Sequence, residues 1–255
     1  MDMAELHWTA QSSYPILATL QLLPLLAIVL LLSLRKRSAL YAVAIGLALA
    51  ELLLSIDLYL RFNPLEPSLQ LAERLPLLPV LDYHAAVDGM SVLLMLLTSL
   101  LSLLVVLYAR VRKLARSSNF LAMVFAVEAS LQGMFVTQDL LWFTLLSAVE
   151  LLLIAYLLQR WAKAPQDDMA MGRYLQFMGI GLLLLLAGTF MLGWNHADAS
   201  GGTWSFDLHD LTPVPVPVEI QSVIFFLLFY GLGIRIPLFP LHGWLPLVAE
   251  HGTIA

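Results

Sequence analysis

The chain has 255 residues, of which 60% are hydrophobic and 12% are charged, and its formal net charge is −5. Soluble domains carry about 25% charged residues, so this composition and a mean hydropathy of +0.86 indicate an integral membrane protein. Cysteine is absent, which excludes disulfides, iron–sulfur clusters held by thiolates and cysteine nucleophiles. The chain has no recognisable nucleotide-binding loop, metal-ligand cluster or nucleic-acid patch, and we expect it to hold no cofactor and no metal.

Seven apolar stretches are long enough to cross a bilayer, whose hydrocarbon core of about 30 Å needs roughly 20 helical residues. The predicted spans cover residues 14–34, 38–60, 89–109, 119–137, 139–159, 172–194 and 219–240. An eighth span is expected to begin after Pro246. Helices are favoured because the apolar runs are continuous, whereas the strands of a membrane barrel alternate in polarity, and because a helix satisfies its own backbone in lipid.

The predicted fold class is therefore all-α, a polytopic bundle of transmembrane helices that forms a single membrane domain over residues 1–255. The two larger outer loops cover residues 61–88, with four prolines, and residues 195–218, with a Pro-Val repeat that favours an extended backbone. Neither loop has the pattern of a folded domain, so the chemistry is expected within the spans.

Basic residues alternate between the two sides of these spans. The first, third and fifth loops hold most of the 13 Lys and Arg residues: Arg35, Lys36, Arg37, Arg110, Arg112, Lys113, Arg116, Arg160, Lys163 and Arg173. The opposite loops hold only Arg61 and Arg74. Because basic loops stay in the cytoplasm, we expect the N-terminus to lie outside.

Three glutamates lie deep inside predicted spans, where a charge costs at least about 2.5 kcal/mol on insertion scales. Glu51 is expected to be a structural acid bonded to a neighbouring helix, and Glu128 is open to a structural or a relay role. Glu150 has almost wholly apolar neighbours and is the best candidate for a proton relay. Desolvation or a nearby cation can tune the proton affinity of such a carboxyl.

A cation and two prolines stand close together late in the seventh span. Arg235 is followed by Pro237 and Pro240, each of which removes a backbone donor, so the helix is expected to break here. Broken helices beside a charge recur in transporter ion sites, although Arg235 could also extend to the cytoplasmic interface from a helix that ends there. His242 follows the break, and its side chain can exchange protons near neutral pH.

Residues 235–246, Arg-Ile-Pro-Leu-Phe-Pro-Leu-His-Gly-Trp-Leu-Pro, resemble the broken seventh helix of the antiporter-like subunits of respiratory complex I. The closest type is chain M, or subunit 4, which is related to Mrp antiporter subunits. Three further segments resemble the same family in the same order. They are residues 86–89 at the start of the third span, residues 128–140 in the fourth span and its turn, and residues 150–158 in the fifth.

This resemblance implies a fold of fourteen helices in two inverted repeats, located in the bacterial inner membrane. It also implies proton translocation beside other membrane subunits of a quinone oxidoreductase-type assembly. A glutamate of the fifth span, here Glu150, would pair with a cation of the seventh, here Arg235. His242 would link that site onward and Glu128 would lie on the same path. The chain would have no redox centre, and its ion would be a proton or Na⁺.

The sequence departs from the family pattern in three ways. Arg235 stands where the family has a lysine, and an arginine does not release its proton. After His242 the acid and histidine of the family are displaced to Glu250 and His251. The chain also covers only the first half of the fold, so we expect a divergent and truncated member.

Three other functions remain open at this stage. The chain could belong to an Mrp-type cation/proton antiporter, or to a complex that serves inorganic-carbon uptake. It could also be a structural membrane subunit whose charges only hold helices together. Arginine at position 235 favours the structural alternative more than a lysine would, because an arginine keeps its charge.

Overall fold

The computed structural model describes residues 5–34, 37–78, 81–112, 117–161 and 168–251. Seven helices in these ranges are long and apolar enough to cross a membrane. They are α1 (Ile16–Ser33), α2 (Arg37–Arg61), α3 (Gly89–Arg112), α4 (Ser117–Val136), α5 (Leu140–Trp161), α6 (Asp168–Ala199) and α8 (Val218–Arg235). Two short helices, α7 (Leu208–Leu211) and α9 (Leu245–His251), complete the set in the described ranges. The predicted class of polytopic helical membrane protein is confirmed.

The break in the seventh span is sharper than the sequence predicts, because α8 ends at Arg235 and does not continue to Pro240. Pro237 has no N–H and cannot continue the helical hydrogen bonds. The chain instead turns, with the amide of Ile236 donating to Leu232 O at 3.2 Å and that of Leu238 donating to Gly233 O at 3.1 Å. Helical structure resumes at Leu245, so the predicted broken helix is confirmed.

The chain separates into two compact units. The first, called here the N-unit, comprises Met3–Leu75 and His84–Thr137 and contains α1 to α4. The second, the C-unit, comprises Pro76–Tyr83 and Gln138–Ile254 and contains α5 to α9. The charged residues selected from the sequence are divided between them, so each unit has its own candidate site.

The N-unit has strands that the sequence did not indicate. A three-stranded sheet has the order β1 (Glu5–His7), β2 (Leu69–Leu78) and β3 (Leu81–Val87). The first two strands pair in parallel, with a shift in register between Glu5 and His7. Leu71 lies within the shifted part of β2 and has a φ of 55°, a strained conformation for a residue with a Cβ. The loop of residues 61–88 is therefore largely ordered by pairing with the N-terminal segment.

The sheet also supplies the missing cap of the first helix. Helix α1 begins after Pro15, which provides no side-chain hydrogen bond to its first turn. The buried carboxyl of Glu73 on β2 accepts hydrogen bonds from Leu17 N at 2.8 Å and Ala18 N at 2.9 Å. Because the first four amides of a helix have no partner within it, this contact fixes the start of α1.

The C-unit is built around an apolar cluster contributed by α5, α6 and the two helices that flank the break. Its buried members are Leu151, Ala155, Leu158, Tyr174, Met178 and Ile234. Helices α6 and α8 approach closely at Gly231, where an added Cβ would lie only 2.8 Å from Leu185 N. Small residues allow membrane helices this kind of approach. The end of α8 is therefore held directly against its neighbours.

Candidate functional site

The predicted pair of Glu150 and Arg235 is present in the C-unit. Glu150 lies at the middle of the 22-residue helix α5, and Arg235 is the last residue of α8. The guanidinium Nη2 of Arg235 donates a hydrogen bond to Glu150 Oε2. The two side chains are 14% and 18% exposed, respectively. The break of the helix thus places a permanent cation against a carboxylate at the middle of the apolar helix α5.

Aromatic residues support the broken end of α8. The backbone carbonyl of Ile234 lies in the last turn of the helix, where carbonyl groups lack partners within the helix. Trp244, in the turn before α9, donates its indole N–H to this carbonyl at 3.0 Å. Its ring packs edge-on against the buried Tyr174 of α6, with the ring centroids 5.8 Å apart. Tyr174 is also within electrostatic range of Glu150 and Arg235, so these contacts tie the break to the ion pair.

The helix that carries Glu150 is anchored at its start by Asp139. The carboxyl of Asp139 accepts a hydrogen bond from Trp142 N at 2.7 Å, in the first turn of α5. Burial raises the pKa of Asp139, and the nearby carboxyl of Asp207 acts in the same direction. The backbone of Asp139 also forms an isolated bridge with Asp207, which joins the start of α5 to the loop before α7.

His242 lies in the turn that follows the break, where its ring stacks at a tilt on Phe239 with the centroids 5.6 Å apart. Its Nδ1 is buried and has no hydrogen-bond partner among the described residues. No hydrogen bond in the described part of the chain links His242 to Glu150. The structure therefore brings Glu150 and Arg235 together and shows no hydrogen bond from His242 to this pair among the described residues.

Glu128 belongs to the N-unit, where it lies within electrostatic range of Glu51. Glu128 on α4 is 1% exposed and Glu51 on α2 is 0% exposed. The two carboxyls are close enough to interact electrostatically. Their four oxygens have no partner of good hydrogen-bond geometry among the described residues, but Gln132 on α4 lies close to Glu51 and Ser102 on α3 lies close to Glu128. The expected contact of Glu51 with a neighbouring helix is thus present, and its structural role stays a prediction.

A chain of polar side chains continues from these two acids. Gln132, one turn after Glu128 on α4, donates through Nε2 to Ser99 Oγ on α3 at 3.2 Å. Ser99 in turn lies 2.7 Å from Ser55 Oγ on α2. All three are fully buried. Glu51 and Ser55 are four residues apart on α2, and Glu128 and Gln132 are four residues apart on α4. Residues at this spacing share a helix face, so each acid lies on the same face of its helix as one of these polar residues.

The sequence contained only part of the signal for this cluster. Serines and glutamine in apolar helices are common, and nothing in hydropathy separates Gln132 or Ser99 from others that face lipid. The spacing of Glu128 and Gln132 indicates that they share one face of α4, but it does not indicate which helix that face contacts. No group of three or more His, Cys, Asp or Glu side chains in the described ranges could hold a metal ion.

Comparison with protein families gives one match. Residues 137–255 match the family described as NADH:quinone oxidoreductase/Mrp antiporter, transmembrane. This stretch includes the whole of α5, the break after Arg235 and both members of the ion pair.

Curated relatives match almost all of the chain. An NAD(P)H-quinone oxidoreductase chain 4 of Microcystis aeruginosa is 31% identical, with 92% of this chain and 42% of the relative aligned. A chain 4 of Thermosynechococcus vestitus is also 31% identical, with 91% and 43% aligned. The chain thus spans less than half the length of the curated relatives it matches.

Two solved structures share the fold. One chain of respiratory complex I from Thermus thermophilus superposes with a TM-score of 0.78 at 27% identity, covering 92% of this chain and 47% of that one. A chain of the membrane-bound sulfane sulfur reductase, an archaeal respiratory membrane complex, gives a TM-score of 0.74 at 17% identity. It covers 93% of this chain and 48% of its own, and this second likeness concerns the fold alone.

Proposed function

Because this chain belongs to the antiporter-like membrane subunits of the NADH:quinone oxidoreductase/Mrp family, of the chain 4 type, we propose that it translocates protons in a complex I-type membrane assembly. The observation that carries the proposal is the ion pair of Glu150 and Arg235 at a broken helix. A charged pair is costly in a membrane interior and marks ion pathways by default. Partner subunits would supply the driving energy, since the proposal gives this chain no redox role.

In this mechanism Glu150 is the group that gains and loses the proton. The guanidinium of Arg235 stabilises the carboxylate while the two are paired. When the end of α8 moves and the pair opens, Glu150 is left in an apolar environment that disfavours its charge, and it takes up a proton. Arg235 keeps its own proton throughout, so it gates the site and does not relay.

His242 and Glu128 are proposed as the relays on either side of this step. The unpartnered Nδ1 of His242 is available to accept or donate a proton once the turn after α8 moves. Glu128 is buried on α4 with Ser102 close to it, which suits a group that carries a proton in neutral form.

The orientation predicted from the basic loops is part of the proposal. The N-terminus would lie outside and the first, third and fifth loops would face the cytoplasm. The chain would form a single membrane domain, the N-terminal part of a larger antiporter-like fold.

Proton flux in vesicles tests this function directly. The assembly that contains the full protein is reconstituted, and acidification is measured with a trapped pH dye for Glu150→Gln, Arg235→Lys and the control Glu219→Gln, an exposed carboxyl in the first turn of α8. We expect Glu150→Gln to lower flux by about tenfold or more, an effect of at least about 1.4 kcal/mol on the barrier, while the control keeps wild-type flux.

Arg235→Lys should retain flux but change its pH dependence, because a lysine can lose its proton when buried. A wild-type rate in Glu150→Gln would contradict the transport role and would favour a structural subunit. Replacing Na⁺ by choline separates the proton pump from an Mrp-type antiporter, since loss of proton flux without Na⁺ would favour the antiporter.

A further inference from the structure

Four carboxyl oxygens in the middle of the N-unit have no assigned role in the gate of Glu150 and Arg235. They belong to Glu51 and Glu128, which are almost completely buried and have no partner of good hydrogen-bond geometry among the described residues, with only Gln132 and Ser102 close to them. Native proteins satisfy the great majority of their buried polar groups. Two buried acids within electrostatic range of each other are therefore an exception that calls for a functional reason.

Gln132 adds a third buried polar group to the cluster of Glu51 and Glu128. The amide oxygen of Gln132 is fully buried and also has no partner among the described residues. The side chain of Gln132 is within interaction range of Glu51, and its amide nitrogen is used by Ser99. Gln132 thus lies beside Glu51 with its amide oxygen still without a partner among the described residues, and an acceptor of this kind is satisfied by an O–H donor.

Among the side chains that the structure describes, the helices packed around these carboxyls supply no cation that contacts them. Helix α1 contains no charged residue, and the charges of α3 are confined to its last turn, at Arg110 and Arg112. Asp57 and Arg61 on α2 are engaged with each other, with Arg61 Nε 2.7 Å from Asp57 Oδ2. Two like charges in an apolar interior cannot both be sustained.

We propose that Glu51 and Glu128 form a proton-binding site in which at least one carboxyl is protonated and exchanges its proton. The acidic O–H supplies the donor that the acceptors in this cluster lack, including Gln132 Oε1. The hydroxyls of Ser99 and Ser55, joined at 2.7 Å, extend the polar path from Gln132 along α2 and α3. Hydroxyl groups both donate and accept, so they can pass a proton along such a path.

The proposal deepens the proposed function, and the use of this proton in transport rests on that function. The binding of the proton does not rest on it, because it follows from burial and from the lack of a compensating cation. The site also differs in kind from that of Glu150, since no described arginine forms an ion pair with Glu51 or Glu128. It would load a proton without breaking an ion pair.

Infrared spectroscopy of the intact assembly at neutral pH tests the site. A protonated carboxyl has a C=O stretch that is resolved from that of the carboxylate and shifts in D₂O. We expect a protonated carboxyl band in the wild type, and Glu51→Gln and Glu128→Gln should each remove or shift it. The double variant should remove it, and Glu219→Gln should leave it unchanged.

Three results would overturn the proposal. The band could be insensitive to both single variants, or it could fail to shift in D₂O. It could also disappear when NaCl replaces choline chloride at constant ionic strength, which would make the cluster a Na⁺ site. Circular dichroism shows whether each variant folds. If a variant does not fold, a pH titration of the wild-type band still tests whether the carboxyl exchanges its proton. The infrared bands are recorded without turnover of the assembly. The test of the Glu51 and Glu128 site is therefore independent of the proton flux measured for Glu150→Gln.

Discussion

The two units of this chain surround their buried glutamate carboxyls with different partners. In the C-unit, Glu150 lies in the middle of a span and contacts the guanidinium of Arg235. In the N-unit, Glu51 and Glu128 lie deep in their spans, within electrostatic range of each other, and no described cation contacts either of them. A neighbouring cation favours the carboxylate, whereas a second buried carboxyl opposes it. One unit thus contains a carboxyl paired with an arginine, and the other contains two carboxyls that share a buried environment.

This difference depends on Arg235, which stands where a lysine would release its own proton. In the proposed mechanism Glu150 takes up a proton only when Arg235 moves, so conformation would control that site. In the proposed N-unit site the carboxyls would need no such movement, and the supply of protons would control them. The comparison therefore predicts that changes to the ion pair affect stability and coupling together, while changes to the carboxyl pair leave stability almost unaltered.

The largest effect is expected for Arg235→Met, which removes one partner of the ion pair and leaves Glu150 buried. We expect the free energy of unfolding to fall by about 3 kcal/mol, the order seen when a buried pair is broken. Thermal or denaturant unfolding of the protein in detergent measures this. The double variant Glu150→Gln/Arg235→Met should recover most of the loss. Equal losses in the single and double variants would contradict a coupled pair.

A smaller effect is expected where α8 packs on α6 beside the break. In Gly231→Ala the new Cβ would lie 2.8 Å from Leu185 N and 3.1 Å from Gly181 O. Since both are backbone atoms, the helices must separate, at a cost of about 1 to 3 kcal/mol. Gly179→Ala on α6 is the matched control, because its Cβ would have no atom within 4 Å. If both variants unfold at the same temperature, close packing does not hold the break.

The N-unit contains one buried carboxyl that does have partners, and it gives a pH-dependent test. Burial raises the pKa of Glu73, against the opposing effect of its hydrogen bonds to Ala18 N and Leu17 N. Between the ordinary glutamate pKa and this raised value, the folded state binds more protons than the unfolded state, so stability falls as pH rises. Glu73→Gln should make that fall less steep and should weaken the cap of α1 by about 1 kcal/mol.

Unfolding measured at several mildly acidic pH values checks the slope. Glu66→Gln, in the loop before β2, is the control. A slope that is the same in wild type and Glu73→Gln would contradict the assignment of this titration to Glu73.

The smallest effect is expected for Glu51→Gln. A glutamine has nearly the same shape as a protonated glutamate, so replacing a neutral acid should change the free energy of unfolding by less than about 0.5 kcal/mol. Unfolding at neutral pH measures this against Arg235→Met under the same conditions. A loss of several kcal/mol would indicate an ionised Glu51 with a partner and would remove the contrast between the two units.

The sequence by itself determined the membrane spans and the broken helix. The seven apolar runs follow from the thickness of the bilayer, and the end of α8 near Arg235 follows from Pro237 and Pro240, which act locally on the backbone. The pairing of Glu150 with Arg235 was implied by family resemblance and is present in the structure. These features depend on residues close together in sequence, or on resemblance to a known family.

The tertiary structure alone decided which polar groups meet. Helices α4 and α5 have no strongly amphipathic pattern, so their rotation about their own axes cannot be derived from hydropathy. That rotation turns Glu128 and Gln132 toward Glu51. The cap of α1 by Glu73 and the pairing of β1 with β2 likewise join segments more than fifty residues apart. Such contacts depend on the packing of whole helices and strands, and the local sequence carries no signal for them.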